Sequence, residues 1–430
     1  MTSLDLAVNE ARERYRTARP ESARLDVEAK TVMPGGNTRS VLDFDPFPFR
    51  VASVDGPYLV DVDGHRYLDL LGNYSAGLLG HSPIEVRRAV SSALERGWSS
   101  GAMRPSEIEF ARLVCMRFPS IEQVRFTSSG TEANLMAIAT AKHATGRSSV
   151  LAFHHAYHGG VLYFGEGGRP LLVPHDWVMA RYNDLPSVEA AFEARGDDIA
   201  CVIVEPMLAA SGCIPGKPEF LAGLRSITMS AGSVLVFDEV MTSRLSPGGA
   251  QEALGITPDM TTLGKYLAGG LTIGAFGGKR ELMSVFDPDS GGTLTHGGTF
   301  NNNEISAAAG IAALAEMLTP GVIETVNNRG DRLREALNSV FDSAGLPMCV
   351  TGLGSLMTVH VSGGPVQFPE DIVGSDDRLK ELLFLEMLEQ GFYMARRGFM
   401  ALSIDVTDED LDSLVAVVSE WADRARGLSG

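Results

Sequence analysis

Two continuous apolar runs rich in β-branched residues limit the possible folds of this chain more than any other feature. They are IACVIVEP at 199–206 and SVLVFDEV at 233–240, and a helical pattern at about 218–230 separates them. Strands without polar alternation are typical of a parallel sheet covered on both faces, and the helix between them is a crossover. We therefore predict an α/β fold with a doubly wound, mostly parallel sheet, whose ligand binds at the carboxyl ends of the strands.

Two further strands and the flanking segments complete the predicted organisation. VRFTSS at 124–129 leads into a helical stretch, and SVLAF at 149–153 precedes a glycine-rich loop. A helix is expected over about the first 30 residues, with short strands around the turns at Asp55-Gly56 and Asp63-Gly64. After about residue 305 a long helical region precedes a strand–helix–strand–helix tail. The predicted domains are a large ligand-binding domain at 75–318 and a smaller α+β domain formed by 1–74 and 319–430.

The net charge, the cysteines and the lack of long apolar runs argue against nucleic acid, metal and membrane as partners. The 430 residues include 36 basic and 54 acidic side chains, a formal charge of −18, which disfavours binding of nucleic acid. Cys115, Cys201, Cys213 and Cys349 form no CxxC pair, so we expect free thiols and no metal site. No secretory signal and no apolar run of membrane-spanning length is visible, which predicts a cytoplasmic protein that does not bind membranes.

A small-residue turn between a strand and a helix is the first candidate binding site. Ser128-Ser129-Gly130-Thr131 precedes a helix whose first turn contains Glu132 and Asn134. Backbone N–H groups at a helix N-terminus bind anions such as phosphate, although serine and threonine also cap helices that bind nothing. The chain has no Walker sequence and no GxGxxG fingerprint, which weakens a nucleotide interpretation.

Asp238 and Lys265 are unusual charges in apolar surroundings. Asp238 ends the run VLVFD, where a carboxylate is costly unless it meets a cation, and a protonated pyridine nitrogen would be suitable. Lys265 lies in TTLGKYLAGGL, and an amine in a dry pocket becomes a nucleophile that forms a Schiff base. The alternatives are an aspartate that anchors a loop and a lysine whose amine reaches solvent.

Six motifs in this order resemble the class III aminotransferases, pyridoxal-phosphate enzymes of fold type I. The motifs are FTSSGTEAN, HHAYHGG, VIVEPM, VLVFDEVMT, LGKYLAGG and GGTFNNN, and the resemblance runs from about residue 25 to the end of the chain. It implies pyridoxal 5′-phosphate as the cofactor and transamination as the reaction. It also implies a homodimer whose two subunits share the active site.

The resemblance also implies roles for individual residues. Lys265 would bind the cofactor as a Schiff base and transfer protons, with Asp238 paired to the pyridine nitrogen. Ser129, Gly130 and Thr131 would hold the phosphate, together with Thr299 from the neighbouring subunit. Tyr157 and Met241 would cover opposite faces of the ring, and Glu205 would lie near its phenolic side; His158 would support the loop that carries Tyr157.

Two arginines and one tyrosine are the substrate-binding candidates. Arg39 lies in PGGNTRSVL, Arg397 in MARRGFMALS, and Tyr74 in a presumed pocket loop. A guanidinium group fits a carboxylate, although either arginine could instead pair with an acidic side chain of the protein. GxNxRSVL and RGFxxLS resemble aminotransferases of β-amino acids, including aromatic ones. We therefore expect ping-pong transfer from a β-amino acid to an α-keto acid such as 2-oxoglutarate or pyruvate.

Three alternatives remain open at this point. Glutamate-1-semialdehyde 2,1-aminomutases share SSGTEA, DEVMT and LGK, but they have a stretch like APSxxEAGF where this chain has MARRGFMAL. A transaminase of amines without a carboxylate is the second alternative. The third is a catalytically silent cofactor-binding protein, which the presence of Lys265, Asp238 and Tyr157 together disfavours.

Overall fold

The computed structural model describes residues 2–165, 167–372 and 374–428. The α-helices are α1 Ser3–Ala18, α2 Pro20–Lys30, α3 Ile84–Glu95, α4 Pro105–Arg117, α5 Gly130–Thr145, α6 Leu185–Arg195, α7 Pro218–Ala231, α8 Ala250–Leu254, α9 Arg280–Met283, α10 Glu304–Ala312, α11 Pro320–Ala344, α12 Arg378–Glu389 and α13 Asp408–Ala425. The strands are β1 Val51–Asp55, β2 Tyr58–Asp61, β3 Arg66–Asp69, β4 Gln123–Thr127, β5 Ser149–Phe153, β6 Asp176–Ala180, β7 Ile199–Val204, β8 Met207–Leu208, β9 Ile214–Pro215, β10 Val234–Asp238, β11 Met260–Gly264, β12 Gly274–Gly278, β13 Met348–Leu353, β14 Leu356–Val361, β15 Phe392–Tyr393 and β16 Phe399–Ala401.

A seven-stranded sheet organises the larger of two compact units, which comprises Pro83–Thr325 and Gln367–Pro369. Its strand order is β4-β12-β11-β10-β7-β5-β6, and every neighbouring pair is parallel except the two pairs that contain β12. Every residue of β5, β7, β10 and β11 is buried. Since successive side chains point to opposite faces, both faces of these strands are covered. The predicted mostly parallel α/β sheet is confirmed.

Six strands of this sheet end at the same edge, so the loops that follow them also lie at that edge. β4 and β11 point the same way, because each is antiparallel to β12. The carboxyl ends at this edge are Thr127, Phe153, Ala180, Val204, Asp238 and Gly264. The residues that follow these strands are therefore neighbours in space, although they are far apart in the sequence.

The second compact unit comprises Met1–Ser82, Val326–Val366 and Glu370–Gly430. It contains two mainly antiparallel sheets, with the strand orders β1-β2-β3-β15 and β13-β14-β16. Helix α1 packs against α12. The predicted boundaries at 74/75 and 318/319 lie a few residues before the limits of the compact units. Domain boundaries and compact units are defined differently, so the division into domains 1–74, 75–318 and 319–430 stays a prediction.

Several elements differ from the sequence-based expectations. The first predicted helix is two helices, because Pro20 begins α2 and cannot continue α1. The helical region after residue 305 is interrupted between Met317 and Pro320. The helix at 218–230 and the free cysteines are confirmed. In the described part of the chain no single helix has the length and apolarity to cross a membrane, and the pair Glu304–Met317 and Pro320–Ala344, bent by 84°, meets that criterion only together.

Candidate functional site

Seven of the predicted site residues lie at or directly beyond the carboxyl ends of β4, β5, β7, β10 and β11. We call them the strand-end cluster: Ser129, Gly130, Thr131, Tyr157, Glu205, Asp238 and Lys265. All seven belong to the larger compact unit. Because the parallel strands end at one edge of the sheet, the fold brings together motifs that are up to 136 positions apart, from Ser129 to Lys265.

Asp238 is a buried carboxylate held by several donors. Its Oδ2 accepts a hydrogen bond from Nδ2 of Asn134 at 2.8 Å and lies 2.8 Å from Nδ1 of His158. Its Oδ1 accepts from the backbone N–H of Val240 at 3.0 Å. Asn134 is itself fixed, because its Oδ1 accepts from the hydroxyl of Thr262 at 2.6 Å. A carboxylate 5% exposed is stable only with such partners, and here they also fix its orientation.

His158 contributes more to this site than its sequence motif indicated. The ring is buried, and its Nδ1 lies within hydrogen-bonding distance of the Asp238 carboxylate. Its Nε2 is buried, and among residues 2–165, 167–372 and 374–428 it has no hydrogen-bond partner. The sequence-based interpretation gave His158 only a role in supporting the loop, and it assigned no role to Thr262.

The turn before α5 has the geometry of an anion site. Ser129 is the N-cap of this 16-residue helix, and its Oγ accepts from the N–H of Glu132 at 3.2 Å. The first N–H groups of a helix lack intrahelical acceptors and carry partial positive charge, which favours an anion there. Thr131 lies against the Tyr157–Gly159 loop, since a Cβ on Gly159 would lie 2.1 Å from its Oγ1.

Val240 joins this turn to the strand that precedes Lys265. A Cβ on Gly130 would lie 2.8 Å from Cγ2 of Val240, and one on Gly264 would lie 3.4 Å from Cγ1 and 3.6 Å from the backbone nitrogen of Gly130. Lys265 follows Gly264 directly and has a φ of 55°, which is unusual for a residue with a side chain. Sequence reasoning missed Val240 as a site residue, although its position two after Asp238 could have indicated it.

Tyr157 and Glu205 are linked in the loop after β5. The carboxylate of Glu205 accepts from the backbone N–H of Tyr157 at 2.9 Å and from that of Ala209 at 3.2 Å. Burial, and to a smaller extent the nearby Asp238, raises the pKa of Glu205 to about 7, although His158 and the two N–H groups act in the opposite direction. Tyr157 is 42% exposed, which leaves its aromatic ring accessible to a ligand.

Two predicted cofactor residues have weaker structural ties to the cluster. Met241 is partly buried and follows Val240 at the start of a short 3₁₀ helix. Thr299 is exposed in the segment before α10. Within the described ranges, no hydrogen bond or ion pair joins Thr299 to the strand-end cluster.

The three substrate-binding candidates lie together in the other compact unit. The guanidinium carbon of Arg39 is 5.6 Å from the ring centroid of Tyr74, and that of Arg397 is 5.2 Å from it. Nη1 of Arg39 donates to Oδ1 of Asn73 at 2.7 Å, and the hydroxyl of Tyr74 donates to the carbonyl of Val41 at 2.8 Å. Two cations thus lie beside one aromatic ring, where cation–π attraction favours them.

The residues of the strand-end cluster fit the pyridoxal phosphate that the sequence resemblance implies. Such a group needs donors for a phosphate, a carboxylate for a protonated ring nitrogen and an amine for its aldehyde. The start of α5, the buried Asp238 and Lys265 supply these three in one compact unit. Glycine at position 130 is required by packing within the turn, because a Cβ there would lie 2.8 Å from Cγ2 of Val240.

Comparisons with known proteins identify the family of this chain. Residues 43–164 and 175–419 match the family described as Aminotransferase class-III. The beta-phenylalanine transaminase of Variovorax paradoxus is 47% identical over 419 residues, 97% of this chain and 96% of the relative. The crystal structure of a beta-phenylalanine aminotransferase from the same organism has a TM-score of 0.97 at 46% identity and covers 99% of both chains.

Two further solved structures extend the comparison. A transaminase with PLP bound has a TM-score of 0.87 at 33% identity, covering 95% of this chain and 99% of that one. A glutamate-1-semialdehyde aminomutase from Pseudomonas aeruginosa PAO1 has a TM-score of 0.88 at 24% identity, covering 97% of each, which shows a common fold alone. Since the family match spans most of the sequence and one relative is 47% identical along nearly all of it, this chain belongs to the class-III aminotransferases, the pyridoxal-phosphate-dependent transaminases of fold type I.

Proposed function

We propose that this transaminase moves the amino group of a β-amino acid, including aromatic ones, to an α-keto acid such as 2-oxoglutarate or pyruvate by a ping-pong reaction. The observation that carries the proposal is the pair of arginines beside Tyr74, because a transaminase of this kind must recognise two different carboxylic acids in turn. The relative named for β-phenylalanine supports the choice of donor.

Donor and acceptor differ in the distance between the carboxylate and the reacting carbon, and two arginines can accommodate both. The amine of a β-amino acid is one carbon further from the carboxylate than the amine of an α-amino acid. One guanidinium therefore cannot hold both donor and acceptor with their reacting carbons in the same place, since productive geometry tolerates only small displacements. We assign Arg39 to the carboxylate of the β-amino acid and Arg397 to the α-carboxylate of the keto acid, with Tyr74 between them.

The strand-end cluster would hold the cofactor and perform the proton transfers. When bound, pyridoxal phosphate supplies an aldehyde carbon that reacts with amines and a ring that withdraws electrons from the substrate. Ser129, Gly130 and Thr131 would bind the phosphate, and Asp238 would keep a proton on the ring nitrogen. Tyr157 and Met241 would pack against the ring, and Glu205 would lie near its phenolic side.

Lys265 has two roles in this proposal. Its amine would hold the cofactor covalently between turnovers. Once free, the Lys265 amine would remove the proton from the amine-bearing carbon of the substrate and return it during the transfer. In the half-reaction with the keto acid, the same amine would move the proton in the opposite direction.

The proposed active unit is a cytoplasmic homodimer. Thr299 is exposed and has no tie to the strand-end cluster among the described contacts, which agrees with a role at the phosphate of the neighbouring subunit. Because each site would then need residues from two subunits, a monomer would have no complete site.

Separate measurement of the two half-reactions tests the proposed substrates. In stopped-flow experiments with β-phenylalanine, Arg39→Ala should weaken the donor half-reaction by roughly 1.5 to 3 kcal/mol, the range for a hydrogen bond to a charged group. Arg397→Ala should instead impair the half-reaction with 2-oxoglutarate or pyruvate. Equal losses in both halves for both variants would remove the assignment. Turnover of glutamate-1-semialdehyde without any keto acid would indicate an aminomutase.

A further inference from the structure

Arg396 and Arg397 occupy the centre of a tight turn between β15 and β16. The N–H of Gly398 donates to the carbonyl of Ala395 at 2.8 Å, and the N–H of Ala395 donates to the carbonyl of Phe399 at 3.0 Å. Two consecutive arginines at the centre of such a turn share one peptide group. A contact that fixes the side chain of Arg396 therefore also restricts the position of Arg397.

The two side chains have different surroundings. Nη1 of Arg396 donates to Oδ2 of Asp377 at 2.8 Å, and its Nη2 donates to Oε2 of Glu381 at 3.0 Å. The guanidinium carbon of Arg397 instead lies 5.2 Å from the ring centroid of Tyr74 and 5.6 Å from that of Phe399. Arg396 is thus bound to α12, whereas Arg397 belongs to the aromatic surroundings of the proposed substrate site.

Glu381 is the buried centre of this attachment. It is 5% exposed, and its Oε1 accepts a hydrogen bond from Nε of Arg12 in α1 at 2.6 Å while its Oε2 accepts from Arg396. A buried carboxylate with two guanidinium partners is stable only while both oxygens are paired, so the arrangement has little freedom. It ties the turn to two helices at once.

We propose that Glu381 is a positioning residue for Arg397 and thereby sets the affinity for the keto acid. This inference rests on the proposed function, in which Arg397 binds the α-carboxylate of the acceptor. Recognition of a carboxylate by a guanidinium fork depends on placement within fractions of an ångström. Glu381 fixes Arg396, Arg396 fixes the turn, and the turn fixes the Cα of Arg397.

Glu381→Gln tests the proposal, because glutamine keeps the shape of the side chain and removes its charge. In the cofactor-loaded enzyme we expect the apparent Kd for 2-oxoglutarate in the second half-reaction to rise by about tenfold, as one charge-assisted pair is weakened. The half-reaction with β-phenylalanine should change little. Glu381→Asp, which keeps the charge, should restore part of the affinity. Glu389→Gln is the matched control on α12, since Glu389 pairs with Arg14 at 2.9 Å and, among the described residues, forms no hydrogen bond or ion pair with the turn.

A second variant separates positioning from folding. Arg396→Gln leaves Glu381 paired with Arg12 and should show the same selective loss of keto-acid affinity, even if Glu381→Gln fails to fold. Equal loss in both half-reactions, or unchanged keto-acid affinity in Arg396→Gln, would overturn the proposal. If Arg397→Ala itself leaves the keto-acid half-reaction intact, the proposed role of Arg397 is wrong, and that outcome is distinct from a failure of Glu381 alone.

Discussion

Nδ1 of His158 lies 2.8 Å from Oδ2 of Asp238, and both side chains are buried. The same oxygen also accepts from the amide of Asn134, and Oδ1 accepts from the backbone N–H of Val240, so contacts at both oxygens orient the carboxylate. Such orientation would suit the pairing with a ring nitrogen that we propose for Asp238, because little reorganisation would then be needed during the reaction.

Asp238→Asn is expected to fold and to lose at least about a hundredfold in the rate of each half-reaction, because the ring loses the partner that keeps it protonated. Single-turnover kinetics on the cofactor-loaded variant measures this. Asp259→Asn is the control: Asp259 forms ion pairs with Arg225 and Lys279 at 2.8 and 2.5 Å, so its loss should lower stability and spare the rate per folded molecule. Full activity of Asp238→Asn would exclude the pairing.

Lys265 should be the site of covalent attachment. Reduction with borohydride followed by peptide mapping is expected to place the cofactor on the peptide that contains Lys265, and Lys265→Ala should give no labelled peptide. Lys279, whose amine is engaged with Asp259, serves as an internal control. A label on Lys279 or Lys217 would contradict the assignment.

Glu205 should make the cofactor-free protein less stable as the pH rises. Its pKa is about 7 in the folded chain against 4.5 ordinarily, so between these values the folded state retains a proton that the unfolded state has released. The stabilisation is complete below about pH 4.5 and is lost as the pH rises through about 7. Denaturant unfolding at several pH values should show this fall, and Glu205→Gln should reduce its slope. An identical slope in the two proteins would mean that Glu205 ionises normally.

Asn73→Gly should weaken donor binding without straining the backbone. Asn73 has a φ of 47°, which glycine adopts readily, and the change removes the oxygen that accepts from Arg39. The hydrogen bond is exposed, so we expect a loss of about 0.5 to 1.5 kcal/mol in the β-phenylalanine half-reaction only. Asn183→Gly is the matched control, because its φ is 61° and its side chain binds Lys217 and Pro215 instead. Unchanged donor affinity in Asn73→Gly would show that Asn73 does not position Arg39.

Mixed dimers test the shared active site. A dimer of one Lys265→Ala chain and one Thr299→Ala chain has one site that is unaltered at both positions, if Thr299 serves the other subunit. Random reassembly of equal amounts should then recover up to about one quarter of the wild-type activity. If Thr299 instead acts within its own chain, the activity of the mixture should not exceed the sum of the activities of the two parent variants.

The positions of the strand-end cluster could be predicted because each motif directly follows a strand. Asp238 ends an apolar run, and the rule that parallel strands end at one edge is enough to bring it near Glu205 and Ser129. Strand β12 could not be predicted in this way: its sequence GAFGG has no β-branched residue, and it forms a strand because β4 and β11 supply partners on both sides.

Contacts that depend on the direction of a side chain could also not be predicted from the sequence. Arg396 and Arg397 are identical in type and adjacent, and only their partners distinguish the residue bound to α12 from the residue beside Tyr74. Likewise, Val240 rather than its neighbour Met241 packs against Gly130, since the chain turns directly after Asp238.

The left-handed backbone of Lys265 has a consequence for the evolution of this chain. A side chain at a φ of 55° costs about 1 to 3 kcal/mol, which glycine at the same position would not incur. The amino acid that would make the fold most stable at this position is therefore not the one that the proposed reaction requires. Selection for stability alone would favour glycine at this position, whereas selection for the proposed reaction would favour lysine.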